Sequence, residues 1–445
     1  MSASDAPRFS PPCGDVVGWR DGQVVRATGI PYARARRFAL PDAVPDRREE
    51  LGATAWSPSC PQAPSPSLEA LLGPAAFGEQ PEDEDCQNLS ITLPADARPG
   101  DDLPVMVWVH GGSYVMGAGD APLHDPARLV AEQRVIVVAV TYRLGLLGFL
   151  GSEGGRPANL GLYDLRAAFA WVRRNIRAFG GDPERVTAFG ESAGGDAIAH
   201  LMATPDATEL FSRAIIQSAP LGISRGRAAM SAAMVAAAAG LTPETPIDEL
   251  VGLQPVVAAA GAGHGLASAM PFGTQYGLPP LPAEDAVDAA WEAAAGDIAV
   301  LIGSNANEAR MFLPELPGIG GAIRIPLIGR LVRWGVDRVL TRRIYREPAE
   351  SFARRLASAG GTAWNYVIDW HAPGNGYRCA HTIDLPLLLG TEASAADSQL
   401  LRGASWADID AAGRRVRQAW ADFARGTLPE RGEVPGVIRW ERVAG

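Results

Sequence analysis

No lysine occurs anywhere in the 445 residues, so all 40 basic residues are arginine. That absence removes whole classes of chemistry. There is no side-chain amine to form a Schiff base, with a carbonyl substrate or with pyridoxal phosphate. A Walker A phosphate loop is excluded because it ends in Lys-Ser or Lys-Thr. Serine hydrolases that rely on a Ser-x-x-Lys motif are excluded as well. Cysteine is scarce. Its four copies are too few for a disulfide scaffold, and none sits in a Cys-x-x-Cys pair. No apolar stretch approaches membrane-spanning length. The first 15 residues hold no basic segment followed by an apolar run, so no secretory signal is expected and the expected compartment is cytoplasmic. Positive charge is in deficit, with a net charge of -10. That balance argues against a nucleic-acid partner and against docking on an anionic membrane surface. It leaves a small neutral substrate open.

What is present describes a globular enzyme with a large core: 47% hydrophobic and 20% charged residues. Residues 15–32 read as a hairpin, with Val16-Val17 and Val24-Val25 flanking Asp21-Gly22. Regular α/β alternation begins after residue 84. Apolar strands are predicted at 103–109, 135–142, 186–190, 211–217 and 298–303, and a later strand at 362–370. Amphipathic helices are predicted at 159–179 and 409–423. Trp440 falls in a short terminal strand or coil. Periodicity is lost near 221–296, and a second helical insertion covers 310–359. No repeat or low-complexity linker divides the chain, so residues 1–445 are expected to form a single α/β domain carrying two insertions.

The chain is organised around Val186-Thr187-Ala188-Phe189-Gly190-Glu191-Ser192-Ala193-Gly194-Gly195. A buried strand turns through Gly-x-Ser-x-Gly into a helix, which is the setting of a nucleophile elbow. The bland alternative is a strand–helix turn that happens to contain serine. A serine hydroxyl needs a base to take its proton and a third group to orient that base. In this setting the chain order is serine, acid, histidine. His110 and His124 precede Ser192, His200 lies on the same helix, and His264 falls in the irregular insertion. His371 and His381 remain. His381 is preferred because it lies in a loop between a strand and a helix, whereas His371 reads as structural. The acid should follow a sheet strand. Glu308 is the nearest carboxylate past 298–303, Asp297 lies at the wrong end, and Glu315 is further into a Pro-rich loop. Oxyanion donors are expected from the amide of Ala193 and from the segment His110-Gly111-Gly112-Ser113.

These motifs resemble the type-B carboxylesterases, which include the cholinesterases. The likeness runs collinearly from about Gly29 to Phe423. It rests on Gly29-Ile30-Pro31-Tyr32-Ala33, Glu84-Asp85-Cys86-Gln87-Asn88-Leu89, Trp108-Val109-His110-Gly111-Gly112, Tyr142-Arg143-Leu144-Gly145, Phe179-Gly180-Gly181-Asp182-Pro183, the elbow itself, and Gln217-Ser218. The resemblance implies an α/β-hydrolase fold, with a central, mostly parallel sheet flanked by helices and helical insertions forming the cleft wall. It implies a triad of Ser192, Glu308 and His381, with oxyanion donors at the amides of Gly112, Ser113 and Ala193. It implies no metal or cofactor, and a small-molecule ester as partner for a monomer or homodimer. Gly111, Tyr114, Phe272 and Trp370 are candidates for the substrate-binding wall, with core packing the alternative for the aromatic rings. Three positions depart from the family's glycines: Ser113, Ala309 and Thr382. Cys60 and Cys86 match the family's first disulfide loop, which the cytosol would tend to keep reduced. That loop holds Phe77 and no tryptophan, so choline esters are not the expected substrates. An amide, carbamate or lactone substrate remains an alternative, as does a non-catalytic recognition role on the same fold.

Overall fold

The computed structural model describes residues 6–316, 318–325 and 328–445. Eleven strands make the main sheet. In chain order they are β1 (Trp19–Asp21), β2 (Val24–Pro31), β3 (Asn88–Pro94), β4 (Leu103–Val109), β5 (Ile136–Val140) and β6 (Gly181–Glu191). Then come β7 (Arg213–Gln217), β8 (Ala299–Asn305), β9 (Ala363–Ile368), β10 (Arg431–Val434) and β11 (Ile438–Arg442). The spatial order is β10-β11-β9-β8-β7-β6-β4-β5-β3-β2-β1. The inner strands β5, β4, β6, β7, β8 and β9 run parallel. The outer pairings are antiparallel.

The main helices are α1 (Leu160–Asn175), α2 (Ala193–Leu201), α3 (Ala228–Ala237), α4 (Ile247–Ala260) and α5 (Val287–Ala294). They continue with α6 (Ile328–Leu340), α7 (Glu347–Ser358) and α8 (Trp406–Arg425). The sheet is covered on both faces, which is why β4 and β5 read as continuous apolar runs. Along β4, Val105, Val107 and Val109 join one apolar cluster with Leu162, Phe169 and Ile198 of α1 and α2. The alternate residues Met106 and Trp108 join a second cluster with Val416 and Trp420 of α8. The side-chain period of two thus assigns each strand residue to one core or the other.

Strand order positions the site. The chain steps from β4 to β5, then crosses back over β4 to β6 and continues outward through β7, β8 and β9. The reversal lies between β4 and β6. Loops leaving the carboxyl ends of those strands diverge there, and such crevices are where open α/β sheets bind ligands.

Three local expectations are revised. The hairpin forms between Trp19–Asp21 and Val24–Pro31, while Val16–Val17 pairs with Arg8–Phe9 in a small separate sheet. The terminal segment is a full antiparallel hairpin, β10–β11, on the outer side of β9. β11 alternates Ile438 and Trp440 with charged residues, whereas Arg431–Val434 of β10 carries no apolar alternation to announce it. α8 begins earlier than its apolar pattern because Ser405 and Asp408 make a capping box. The region 221–296 holds α3, α4 and α5, and 310–359 holds α6 and α7.

Candidate active site

Ser192 stands between β6 and α2 with φ 57° and ψ -124°, a backbone conformation rarely held by a residue with a side chain. Its own N–H donates to the carbonyl of Gln217 at the end of β7 (2.8 Å), and its carbonyl accepts from the Asp196 N–H (2.9 Å). Close packing makes the turn possible. A Cβ at Gly194 would lie 2.0 Å from the carbonyl oxygen of Val109, so α2 sits directly on the end of β4. A Cβ at Gly111 would lie 3.1 Å from the Ser192 Cβ, so the loop after β4 touches the serine itself.

The structure brings Ser192, His381 and Glu308 into one hydrogen-bonded line. His381 Nε2 lies 2.9 Å from Ser192 Oγ, and His381 Nδ1 lies 2.6 Å from Glu308 Oε2. The other carboxylate oxygen of Glu308 accepts from the Ser218 hydroxyl and the Asn305 N–H, each at 2.6 Å. Both oxygens of this buried carboxylate are therefore satisfied. The two loops are tied together: the Asn307 N–H donates to the Cys379 carbonyl, and the His381 N–H to the Glu308 carbonyl. Asn305 Nδ2 reaches Asp384 Oδ1 (3.0 Å), and Gln217 Nε2 reaches Asp384 Oδ2 (2.7 Å). The rings of Tyr345 and Phe312 flank His381, with centroids 5.3 and 5.4 Å away.

A second carboxylate shares this space. Glu191 Oε1 lies 3.2 Å from His381 Nε2, on the Ser192 side of the ring, and makes no hydrogen bond of its own. Burial pushes the Glu191 carboxyl up to about 8, against the opposing pull of His381. Burial by itself would lower His381. The charges of Glu191 and Glu308, together with the Glu308 hydrogen bond, outweigh it and lift the imidazole to about 9. A charged Glu191 carboxylate at this distance favours the protonated imidazole, and a protonated imidazole favours the charged carboxylate.

The loop after β4 supplies free amides. Gly112, Ser113 and Tyr114 have φ of 105°, 55° and 62°. Among the described residues, the amides of Gly112, Ser113 and Ala193 donate to no protein acceptor. Tyr114 is buried, with its ring on Phe149 and its hydroxyl donating to Asp196 Oδ2 (2.7 Å). It pins the loop to α2. Asp196 also accepts from the Ser224 hydroxyl (2.5 Å). Phe272 is buried in the first apolar cluster and Trp370 in the second. No hydrogen bond or ring contact among the described residues joins either one to Ser192 or His381. His371 Nδ1 lies 3.3 Å from the Asp369 carbonyl, and buried His110 is pushed down to about 3 by burial and by His124.

The sequence pattern of the Carboxylesterase family matches residues 11–318. The chain belongs to that family. A probable N-octanoylanthranilate hydrolase of Rhodococcus erythropolis is 37% identical over 414 residues, covering 91% of this chain and 90% of that protein. The para-nitrobenzyl esterase of Bacillus subtilis (strain 168) is 33% identical, covering 93% and 88%. The solved structure of a thermophilic para-nitrobenzyl esterase superposes with a TM-score of 0.76 at 28% identity, over 98% of this chain and 94% of that one. The fold is that of the α/β-hydrolases, and this carboxylesterase is a serine hydrolase acting on ester bonds.

Within this esterase, the three departures from glycine behave differently. Ala309 has no positive φ, and its N–H donates to Thr341 Oγ1 (3.0 Å), so the site tolerates a side chain. Ser113 and Thr382 both sit at left-handed φ, 55° and 67°, and carry the strain. The Thr382 hydroxyl oxygen is buried with no partner. Cys60 and Cys86 are both buried free thiols, and Cys60 Sγ accepts from the Leu144 N–H (3.3 Å). Sequence reasoning passed over Glu191, Ser218 and Asn305. A carboxylate closing the buried run Val186-Thr187-Ala188-Phe189-Gly190 was the available signal for Glu191, because an ionisable group seldom ends such a run without work to do.

Proposed function

We propose that Ser192, His381 and Glu308 are the catalytic triad of this esterase, with Gly112, Ser113 and Ala193 as its oxyanion donors and carboxylic esters of small molecules as its substrates. The carrying observation is the continuous line from Ser192 Oγ through His381 to Glu308, at 2.9 and 2.6 Å. Ser192 Oγ attacks the ester carbonyl carbon while His381 Nε2 takes the hydroxyl proton. The carbonyl oxygen becomes an oxyanion facing the free amides of the loop after β4 and of α2. Collapse breaks the bond to the alcohol oxygen, and His381 returns the proton to that oxygen. Water then attacks the acyl-enzyme by the same route and releases the acid. Glu308 orients His381 and offsets the imidazolium charge without being protonated itself. We read residues 1–445 as one unit, because both apolar clusters pack on the same eleven-stranded sheet.

The test is Ser192→Ala with a p-nitrophenyl ester. The expected loss in kcat is on the order of 10⁴ to 10⁶, since only binding and the oxyanion donors remain. Stoichiometric labelling of Ser192 by a fluorophosphonate is expected in the native protein and absent in the variant. Near-native turnover by the variant refutes the assignment. A second reading follows from the relative named as an N-octanoylanthranilate hydrolase: the same groups would cleave an N-acyl anilide, with His381 protonating the leaving amine. Comparing N-octanoylanthranilate with octanoyl esters by kcat/KM separates the two. Among the described residues no helix is long and apolar enough to cross a membrane. Four buried free thiols support a reducing compartment such as the cytoplasm.

A further inference from the structure

The net charge of -10 is not spread evenly. Between residues 319 and 346 stand seven arginines (324, 330, 333, 338, 342, 343, 346) and one acid, Asp337, so this segment is locally +6. Asp337 is buried and accepts from Arg310 Nε (3.0 Å), Asn307 Nδ2 (2.8 Å) and Thr341 Oγ1 (3.0 Å). It faces inward, towards the loop that carries Glu308. The outward face of α6 holds no acid. It exposes Leu331 (72%), Trp334 (59%) and Val339 (58%) beside the exposed Arg330 and Arg338, with Ile325 (48%) just before the helix. Arg338 lies 5.8 Å from the centroid of the Trp334 ring. Large apolar side chains this exposed are few in the described chain, and half of the eight fall within residues 325–339.

We propose that α6 docks this esterase on an anionic phospholipid surface. An amphipathic helix with Leu, Trp and Val outward, rimmed by arginines, is built to lie in the interface plane. The apolar residues enter the boundary between headgroups and acyl chains, and the guanidinium groups pair with phosphates at the same depth. A cleft of about 480 Å³ next to the helix carries Arg310, Arg333 and Arg402 together with Leu313, Ile323 and Tyr377. Its cationic and apolar lining complements a headgroup phosphate and the first methylenes of an acyl chain. The whole-chain charge argues against anionic lipid only as an average. Screening confines each charge to about 8 to 10 Å at physiological ionic strength, so the patch acts on its own. The inner face of α6 meets the Glu308 loop through Asp337, so a docked helix sets the site close to the lipid.

The experiment is co-sedimentation of the full chain with phosphatidylglycerol vesicles and with phosphatidylcholine vesicles, without turnover. Binding to the anionic vesicles alone, reversed by high salt, is expected. Arg330→Gln and Arg338→Gln should each weaken it about 5-fold. Leu331→Glu combined with Trp334→Glu should weaken it at least about 100-fold, because apolar burial and charge attraction fail together. Hydrolysis of soluble p-nitrophenyl acetate by these variants should stay within about twofold of native, which shows that they fold. No binding to phosphatidylglycerol, equal binding by native and doubly substituted protein, or a dimer in light scattering that the double substitution dissolves would overturn the proposal. The last result would make the face an interface between two copies. Because binding is read without catalysis, it stands or falls independently of the triad.

Discussion

Glu191→Gln removes a carboxylate 3.2 Å from His381 Nε2 and preserves its shape. At that distance a full charge in a medium of effective dielectric about 20 interacts by about 5 kcal/mol, an upper bound near four pKa steps. Burial holds the Glu191 carboxyl up to about 8, below His381 at about 9, so the carboxylate is largely charged where the native imidazole titrates. A downward displacement of His381 is therefore expected. The direction is firm. His381 must be neutral to accept the Ser192 proton, so activity rises as pH climbs through the pKa of His381, raised to about 9 in the native protein. Removing the neighbouring carboxylate leaves burial less opposed, so the acid limb moves to lower pH. The measurement is kcat/KM for a soluble p-nitrophenyl ester from pH 5 to 10. An unmoved limb, or one moved upward, would show that Glu191 does not set the basicity of His381. A uniform loss at every pH would instead assign Glu191 a packing role beside Gly111.

Glu308→Gln should lower kcat by about 10⁴ with KM nearly unchanged. One end of the amide must present N–H to a donor, either at His381 Nδ1 or at the Asn305 N–H, so the imidazole is held in the wrong tautomer; steady-state kinetics on the folded variant checks this. Thr382→Gly relieves a left-handed φ of 67° and an orphaned hydroxyl. These outweigh the chain entropy of glycine and the lost methyl contact, so a stabilisation of about 1 kcal/mol is expected. A urea midpoint that rises at constant slope supports the claim, and one that falls refutes it.

Much of this esterase was legible before any coordinates. The elbow, the strands 103–109 and 298–303, and the helix running to Phe423 are local features, recorded by side-chain periodicity and turn chemistry within a few residues. Chain order then singled out His381 and Glu308. What escaped depends on neighbours far along the chain. Strand β10 carries no apolar pattern of its own and is held by pairing with β11, which in turn pairs with β9. Only the packing shows that Phe272 and Trp370 belong to different apolar clusters.

From the sequence alone came the absence of lysine chemistry, the α/β alternation and the identities of the candidate nucleophile, base and acid, because those follow from residue types and short-range order. The tertiary structure decided the distances. It closes 189 residues between Ser192 and His381, and 73 between His381 and Glu308, into hydrogen bonds. It also buries Glu191 against His381 and turns the arginines of α6 outward beside bare Leu331 and Trp334. A pKa and a surface potential depend on inverse distance through a non-uniform dielectric, and only the folded chain determines those distances.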